Sequence, residues 1–205
     1  TSNLSCMNTA IFLSLDFMIA AYFRSLRLFE EEEINQIVQL FEYRKLNKND
    51  FFVKENQPCH EVAFIQSGIF RSYYSSANME DITYCFRFPN TWIAAYSSFI
   101  TGGPSTETMQ AITPAELWTI KKNTIEKLAT NSLKWTKYLK MIAEEQYLEL
   151  EKRVFQLQKE TASQRYANLL KDHPEFIQQL PLQYLASYLG ITQRHLSRIR
   201  SEISF

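Results

Sequence analysis

The 205-residue sequence predicts an α+β protein with a strand-rich N-terminal domain, a long helix and a small C-terminal helix-turn-helix. Three observations carry this. Short runs rich in Phe, Tyr, Val, Ile and Thr recur between residues 51 and 120, spaced by turn residues. The stretch from Lys121 to Asp172 contains neither Gly nor Pro. Finally, Leu182 to Ile203 (LQYLASYLGITQRHLSRIRSEI) sets two amphipathic patterns on either side of a single Gly.

Composition bounds the possibilities. Hydrophobic residues at 45% and charged residues at 21% describe a globular chain, and the formal net charge of +0 gives no global pull toward nucleic acid. From Ala162 to Phe205, however, five bases stand against three acids, a surplus of two. The three cysteines, Cys6, Cys59 and Cys85, have no C-x-x-C spacing, which fits a reducing cytoplasm and argues against a disulfide, iron–sulfur or zinc framework. The three histidines, at 60, 173 and 195, are not at ligand spacing, so no metal-binding or catalytic residues are assigned. The apolar segment Ala10 to Phe23 is too short for a membrane span and lacks the basic start of a signal peptide. It is expected to be an amphipathic helix packed on the N-terminal domain. Since the chain opens on Thr1, either Met7 or Met18 within or beside this segment is compatible with a true start.

Next, Glu30 to Phe41 places acids in its first turn and Ile34, Ile37, Val38 and Phe41 on one face, as a short helix should. Strands follow at Phe51–Lys54, Glu61–Gln66, Ile69–Tyr74, Asp81–Phe88, Met109–Ile112 and Glu116–Ile120. Turns separate them at Asn56-Gln57-Pro58, Ser67-Gly68, Ser75 to Asn78, Pro89-Asn90, Gly102-Gly103-Pro104 and Thr113-Pro114. Many short strands at such intervals make an antiparallel sandwich or barrel with room for a ligand. In the Gly- and Pro-free stretch, Leu139, Ile142, Gln146, Leu150, Val154 and Leu157 recur by threes and fours. A two-chain seam is the simplest way to bury that stripe, the alternative being a helix lying wholly against its own sandwich. Arg165 to Leu170 begins another amphipathic helix, which His173-Pro174 stops. The expected division is thus residues 1–122, 123–160 and 161–205.

At the C-terminal motif, Leu182, Leu185, Ala186 and Leu189 form one stripe, and Gly190 ends the helix because only Gly reaches the left-handed region without steric cost. Thr192 restarts the chain as an N-cap, while Leu196, Ile199 and Ile203 form the second stripe. Gln193, Arg194, His195, Ser197 and Arg198 then face outward, side chains suited to base edges and phosphates in a major groove. Two short helices joined at a Gly also occur in plain bundles, but the small Ala186 and the Gly turn suit the close crossing of a helix-turn-helix.

This order of parts resembles the CRP/FNR family of bacterial transcription regulators, from about Leu28 to Phe205. The likeness rests on FIQSGIFRSYY at Phe64–Tyr74, SSFITGGPS at Ser97–Ser105, TASQRYANLLKDHPEF at Thr161–Phe176 and PLQYLASYLGITQRHLSRIR at Pro181–Arg200. The last two resemble the branch common in Bacteroidetes-type bacteria. The resemblance implies a cyclic-nucleotide-binding-like β-roll or jelly-roll sensor, a long dimerisation helix and a winged-helix-like DNA-binding domain. It also implies a cytoplasmic homodimer on double-stranded DNA, with RNA polymerase as a further partner. The implied DNA site is Thr192, Gln193, Arg194, His195, Ser197, Arg198 and Arg200, with Arg198 where such regulators keep an Arg that meets guanine.

The resemblance also delimits the effector. Cyclic-AMP-binding members use a Gly-Glu pair and, about ten residues on, an Arg-Ser pair. Here these positions hold Ala94-Ala95 and Ser105-Thr106, and the two base-receiving positions on the long helix hold Leu150 and Glu151. Both charged groups are missing, so cyclic AMP is not the expected ligand and no cofactor is assigned. A pocket for another small molecule is expected from Tyr96, Ser97, Ser98, Ser105, Thr106, Leu150 and Glu151, with Arg71 or Arg87 reaching an anion. Against this, Gly102-Gly103-Pro104 serves equally as a plain turn. Oxygen sensing of the FNR kind needs cysteines this chain lacks. Competing with a ligand-controlled regulator are the same fold without an effector, its sensor a dimerisation or polymerase-contact module, and a cupin-like enzyme, which His60 alone cannot supply with metal ligands.

Overall fold

A computed structural model describes residues 18–203. The described part opens with helix α1 (residues 18–25), whose Ile19, Ala20 and Phe23 are buried; residues 10–17 of the expected apolar helix lie outside the described residues. Helix α2 (Glu31–Val38) follows, with acids at Glu31, Glu32 and Glu33 and a capping box between Glu30 and Glu33.

Eight strands come next: β1 (Glu42–Leu46), β2 (Phe51–Val53), β3 (Glu61–Ser67), β4 (Phe70–Ser75), β5 (Asp81–Arg87), β6 (Trp92–Ile93), β7 (Thr108–Ala111) and β8 (Ala115–Lys121), with helix α3 (Tyr96–Thr101) between β6 and β7. They form two antiparallel sheets, ordered β1-β8-β3-β6 and β2-β7-β4-β5, the jelly-roll-like arrangement expected. Sequence patterning misses β1, β6 and α3. The first pairs with β8 through charged residues such as Glu42, Arg44 and Lys45, and the second is too short to show a period. The third is a short helix ended by Gly102 at φ 74°, where the expected Gly102-Gly103-Pro104 turn begins.

Between the sheets lie Ala63, Ile65, Phe70, Met109, Ala111 and Leu117. The outer face of the first sheet is buried too, because Phe64, Trp118 and Ile120 pack against α1 and α2 and, from the helices beyond β8, Trp135 and Tyr138. The Tyr138 ring sits 5.6 Å from that of Phe23. Gly68, in the β3–β4 hairpin, has φ +93°, and a Cβ there would lie 2.5 Å from the Cβ of Ala115. Close approach and backbone conformation both demand Gly.

The expected single helix over 123–160 is two helices, α4 (Lys122–Asn131) and α5 (Leu133–Lys159). Ser132 is extended at φ −143°, ψ 118°, and its hydroxyl accepts from the Trp135 amide as an N-cap. A Ser breaks the helix here without any Gly or Pro, because its side chain offers the backbone an alternative hydrogen bond. After the extended residue Glu160, helix α6 (Ala162–Asp172) starts at a capping box between Thr161 and Gln164. The short α7 (Pro174–Ile177), α8 (Leu182–Leu189) and α9 (Gln193–Ile203) complete a small helical unit cored by Tyr166, Leu185, Ala186, Leu189, Leu196 and Ile199. No helix of the described residues is long and apolar enough to cross a membrane.

This unit docks on the second sheet. Strand β5 is an edge, and Ser187 of α8 meets it: its hydroxyl accepts from Thr83 N at 2.9 Å and lies 3.2 Å from Asp81 O, to which it donates. Ile69, Phe86, Phe88 and Ile112 of the strand domain join the same apolar core as α8 and α9.

Candidate nucleic-acid interface and sensor pocket

The helix-turn-helix is built as its sequence demands. Gly190 sits at φ 69°, ψ 34° and closes α8, with its own amide donating to Ser187 O and the Ile191 amide to Ala186 O. This pair of bonds is a Schellman closure. Thr192 Oγ1 accepts from His195 N at 3.2 Å, which spends that hydroxyl on capping α9. With Leu196 and Ile199 buried, Gln193, Arg194, His195, Ser197 and Arg198 are exposed on the opposite side. Arg194 and Arg198 are four residues apart on one helix face, and neither is in an ion pair among the described residues. Ser197 donates to Gln193 O, keeping its hydroxyl close to the helix. Arg200, expected in the interface, instead lies over the Tyr166 ring at 5.9 Å, turned toward the core of the unit because its place on α9 is not on the Arg194–Arg198 face.

The pocket expected in the strand domain is a cavity of about 640 Å³ facing α5. Of the residues assigned to it, Arg87, Tyr96, Ser97, Thr106 and Leu150 line it, joined by Glu55, Tyr84 and Glu107, which sequence reasoning missed. The others are elsewhere. Ser98 and Ser105 are buried as structural hydroxyls, Ser98 accepting from Cys59 N and donating to Gly103 O, and Ser105 donating to Glu107 O. Glu151 is exposed on the outer side of α5 beside the Tyr147 hydroxyl. Arg71 is 3% exposed and serves the junction with the helical unit. Its guanidinium lies 4.1 Å from the Tyr73 ring centre and 4.0 Å from that of Tyr184, with Nε donating to Thr83 Oγ1 at 2.9 Å and Nη1 paired to Asp81.

Arg87 is already committed: its Nη1 donates to both carboxylate oxygens of Glu149, at 2.7 and 3.0 Å, and ties β5 to α5. Burial pushes the Glu107 carboxyl above the ordinary carboxylate range, against the opposing effect of the Ser72 hydroxyl that donates to it. Burial also pushes the Cys85 thiol up to about 11, so it is a neutral thiol and not a ready nucleophile. Among the described residues, no three His, Cys, Asp or Glu side chains gather as a metal site. Cys6 lies outside the described residues.

The stripe assigned to the long helix divides. Leu139, Ile142 and Gln146 are half-buried, and the first two pack on the core beneath the first sheet. Leu150, Val154 and Leu157 are 48%, 41% and 50% exposed, and Tyr147 at 63% extends their row. Tyr147, Leu150, Val154 and Leu157 alternate spacings of three and four, the pattern of a coiled-coil seam.

Residues 43–132 match the family model of the cyclic nucleotide-binding domain. No curated protein matches the chain by sequence. Among solved structures, FixK2 from Bradyrhizobium japonicum is 19% identical with a TM-score of 0.70 over 80% of this chain and 84% of that one. The c-di-GMP responsive global regulator CLP of Xanthomonas campestris is 13% identical with a TM-score of 0.67, covering 85% and 92%. A structure described as a transcriptional regulator of the CRP/FNR family from Eubacterium rectale is 16% identical with a TM-score of 0.67, covering 90% and 88%. At these identities the likeness establishes a shared fold, that of CRP/FNR-type transcription regulators.

Proposed function

We propose that this chain, folded as CRP/FNR-type regulators are, binds DNA sequence-specifically as a homodimer and carries out transcription regulation without catalysing a reaction. The observation that carries the reading is the exposed face of α9, where Arg194 and Arg198 stand four residues apart beside Gln193 and Ser197. A helix with that face fits a major groove, and an Arg there can hold O6 and N7 of guanine together. The bare row Tyr147, Leu150, Val154 and Leu157 supports a two-fold seam along α5. Two-fold symmetry in turn implies half-sites about one helical turn apart.

Cyclic AMP is not the ligand in this reading. Ala94 and Ala95 stand where a carboxylate is needed, Arg87 is held by Glu149, and the pocket offers Glu107, which would repel a cyclic phosphate. Selection of bound fragments from a random DNA pool tests the reading. The dimer should enrich a two-fold-symmetric site, and Arg198→Ala should cost about 1–3 kcal/mol at one base position of each half-site while leaving the dimer intact. Enrichment of no site by the wild-type chain overturns the reading.

A further inference from the structure

We propose a second ligand site, for a phosphate-bearing small molecule, in the cavity where β5, α5, α6 and α8 meet. This cavity holds about 180 Å³, room for a phosphate group and little more. It adjoins the sensor pocket along Tyr84, Cys85, Arg87, Gln146 and Leu150, but its cations set it apart. Four cations line it, Arg87, Lys152, Arg153 and Arg165, against two carboxylates, Glu149 and Asp172. In a chain of formal net charge +0, a local surplus of two positive charges is a concentration that needs an explanation, and it equals the charge of a phosphate dianion.

Arg87 is neutralised by Glu149, but Lys152, Arg153 and Arg165 have no carboxylate within ion-pair distance among the described residues. Arg153 donates to Tyr188 O at 2.6 Å and lies over the Tyr188 ring at 3.9 Å. Arg165 donates to Leu189 O at 2.8 Å and to Glu160 O, and its Nε is buried with no acceptor. Each guanidinium is thus positioned by backbone carbonyls, and Arg153 also by an aromatic face, contacts that fix direction and leave the positive charge uncompensated. A buried N–H without a partner costs about 1–3 kcal/mol, and an anion oxygen is the acceptor that removes that cost. Arginines fixed in this way are suited to phosphate oxygens.

On α5 the cavity is lined by Gln146, Glu149, Leu150, Lys152, Arg153 and Gln156, so of the bare row it borders Leu150 but not Val154 or Leu157. An anion seated there contacts the strand domain, α5 and the helical unit together, and so fixes the extended joint at Glu160. The regulatory consequence, a change in operator affinity, rests on the function proposed above; the binding itself does not.

The test is made on the full chain without DNA. Thermal unfolding is followed in inorganic phosphate and in potassium chloride of matched ionic strength. Phosphate at about ten times its Kd should raise Tm by about 3–6 °C over chloride. Lys152→Gln, at an exposed position of α5, should keep the Tm seen in chloride and weaken phosphate binding about tenfold by calorimetry, and Arg153→Gln, which also gives up the Tyr188 contacts and lowers the Tm in chloride, should weaken binding at least as much. Absence of a phosphate-specific rise overturns the site. So does a rise that survives undiminished in Lys152→Gln, since that places the anion elsewhere on the surface.

Discussion

Glu107 shows how a single side chain gives the pocket its chemistry. A carboxyl whose pKa is raised by folding binds its proton more tightly folded than unfolded, so stability is greatest below the ordinary carboxylate range and falls as the pH climbs toward the raised value. Calorimetric scans against pH should therefore show a decline over that window, and Glu107→Gln should flatten it while keeping an acceptor for the Ser72 hydroxyl. A residue-scale constraint of another kind sits at Gly68. Its φ of +93° and the 2.5 Å approach of a built Cβ to Ala115 predict that Gly68→Ala costs at least about 2 kcal/mol by denaturant unfolding. That Gly was visible in the sequence only as a turn signal beside Ser67. Its contact with Ala115 spans 47 positions of chain, and no local pattern encodes it.

At the scale of elements, α5 is the informative case. A stripe at threes and fours announced a helix with a face to bury, and the helix is there. The same stripe could not say which chain covers it. Leu139 and Ile142 are taken by the strand domain's own aromatic core, while Leu150, Val154 and Leu157 are left bare. If a second copy covers those three, Val154→Glu should weaken self-association at least tenfold, about 1.4 kcal/mol, in sedimentation equilibrium, because it places a charge in the seam. The Tm of the monomer should barely move, since Val154 touches no buried core of its own chain. Ser132 gives a second lesson at this scale. Helix ends marked by Gly, as at Gly190, were legible, whereas an end made by a Ser that caps the next helix looked like continuous helix.

For the whole molecule, the contact between the helical unit and the edge of the second sheet decides how the reading helix is presented. An unpaired edge strand offers free amides and carbonyls, and Ser187 occupies two of these on β5. Arg71, clamped between Tyr73 and Tyr184, adds the aromatic half of the junction. Ser187→Ala should leave Thr83 N without its partner, and hydrogen exchange should speed at residues 81–83 while the β3 and β8 amides stay protected. Unchanged exchange at Thr83 would show that the junction is held by its apolar contacts alone.

By itself the sequence determined the elements whose signals are local. These are six of the eight strands with their turn residues, the capped α2, the Gly190 closure, and an α9 with Leu196 and Ile199 on one side and Arg194 and Arg198 on the other. Propensity, capping and periodicity act within a few residues, so they can be read from a single chain. Only the tertiary structure decided the assignments that depend on distant partners. It moved Arg71 from the pocket to the interdomain junction and turned Arg200 inward onto Tyr166. It gave Ser98 and Ser105 to the loop scaffold, and it brought Glu107 into the pocket and Arg153 and Arg165 to a shared cavity. The physical reason is common to all of them. A charged or hydroxyl side chain takes its role from whichever donor, acceptor or ring the fold sets beside it, and that neighbour is supplied by a segment far away in the sequence.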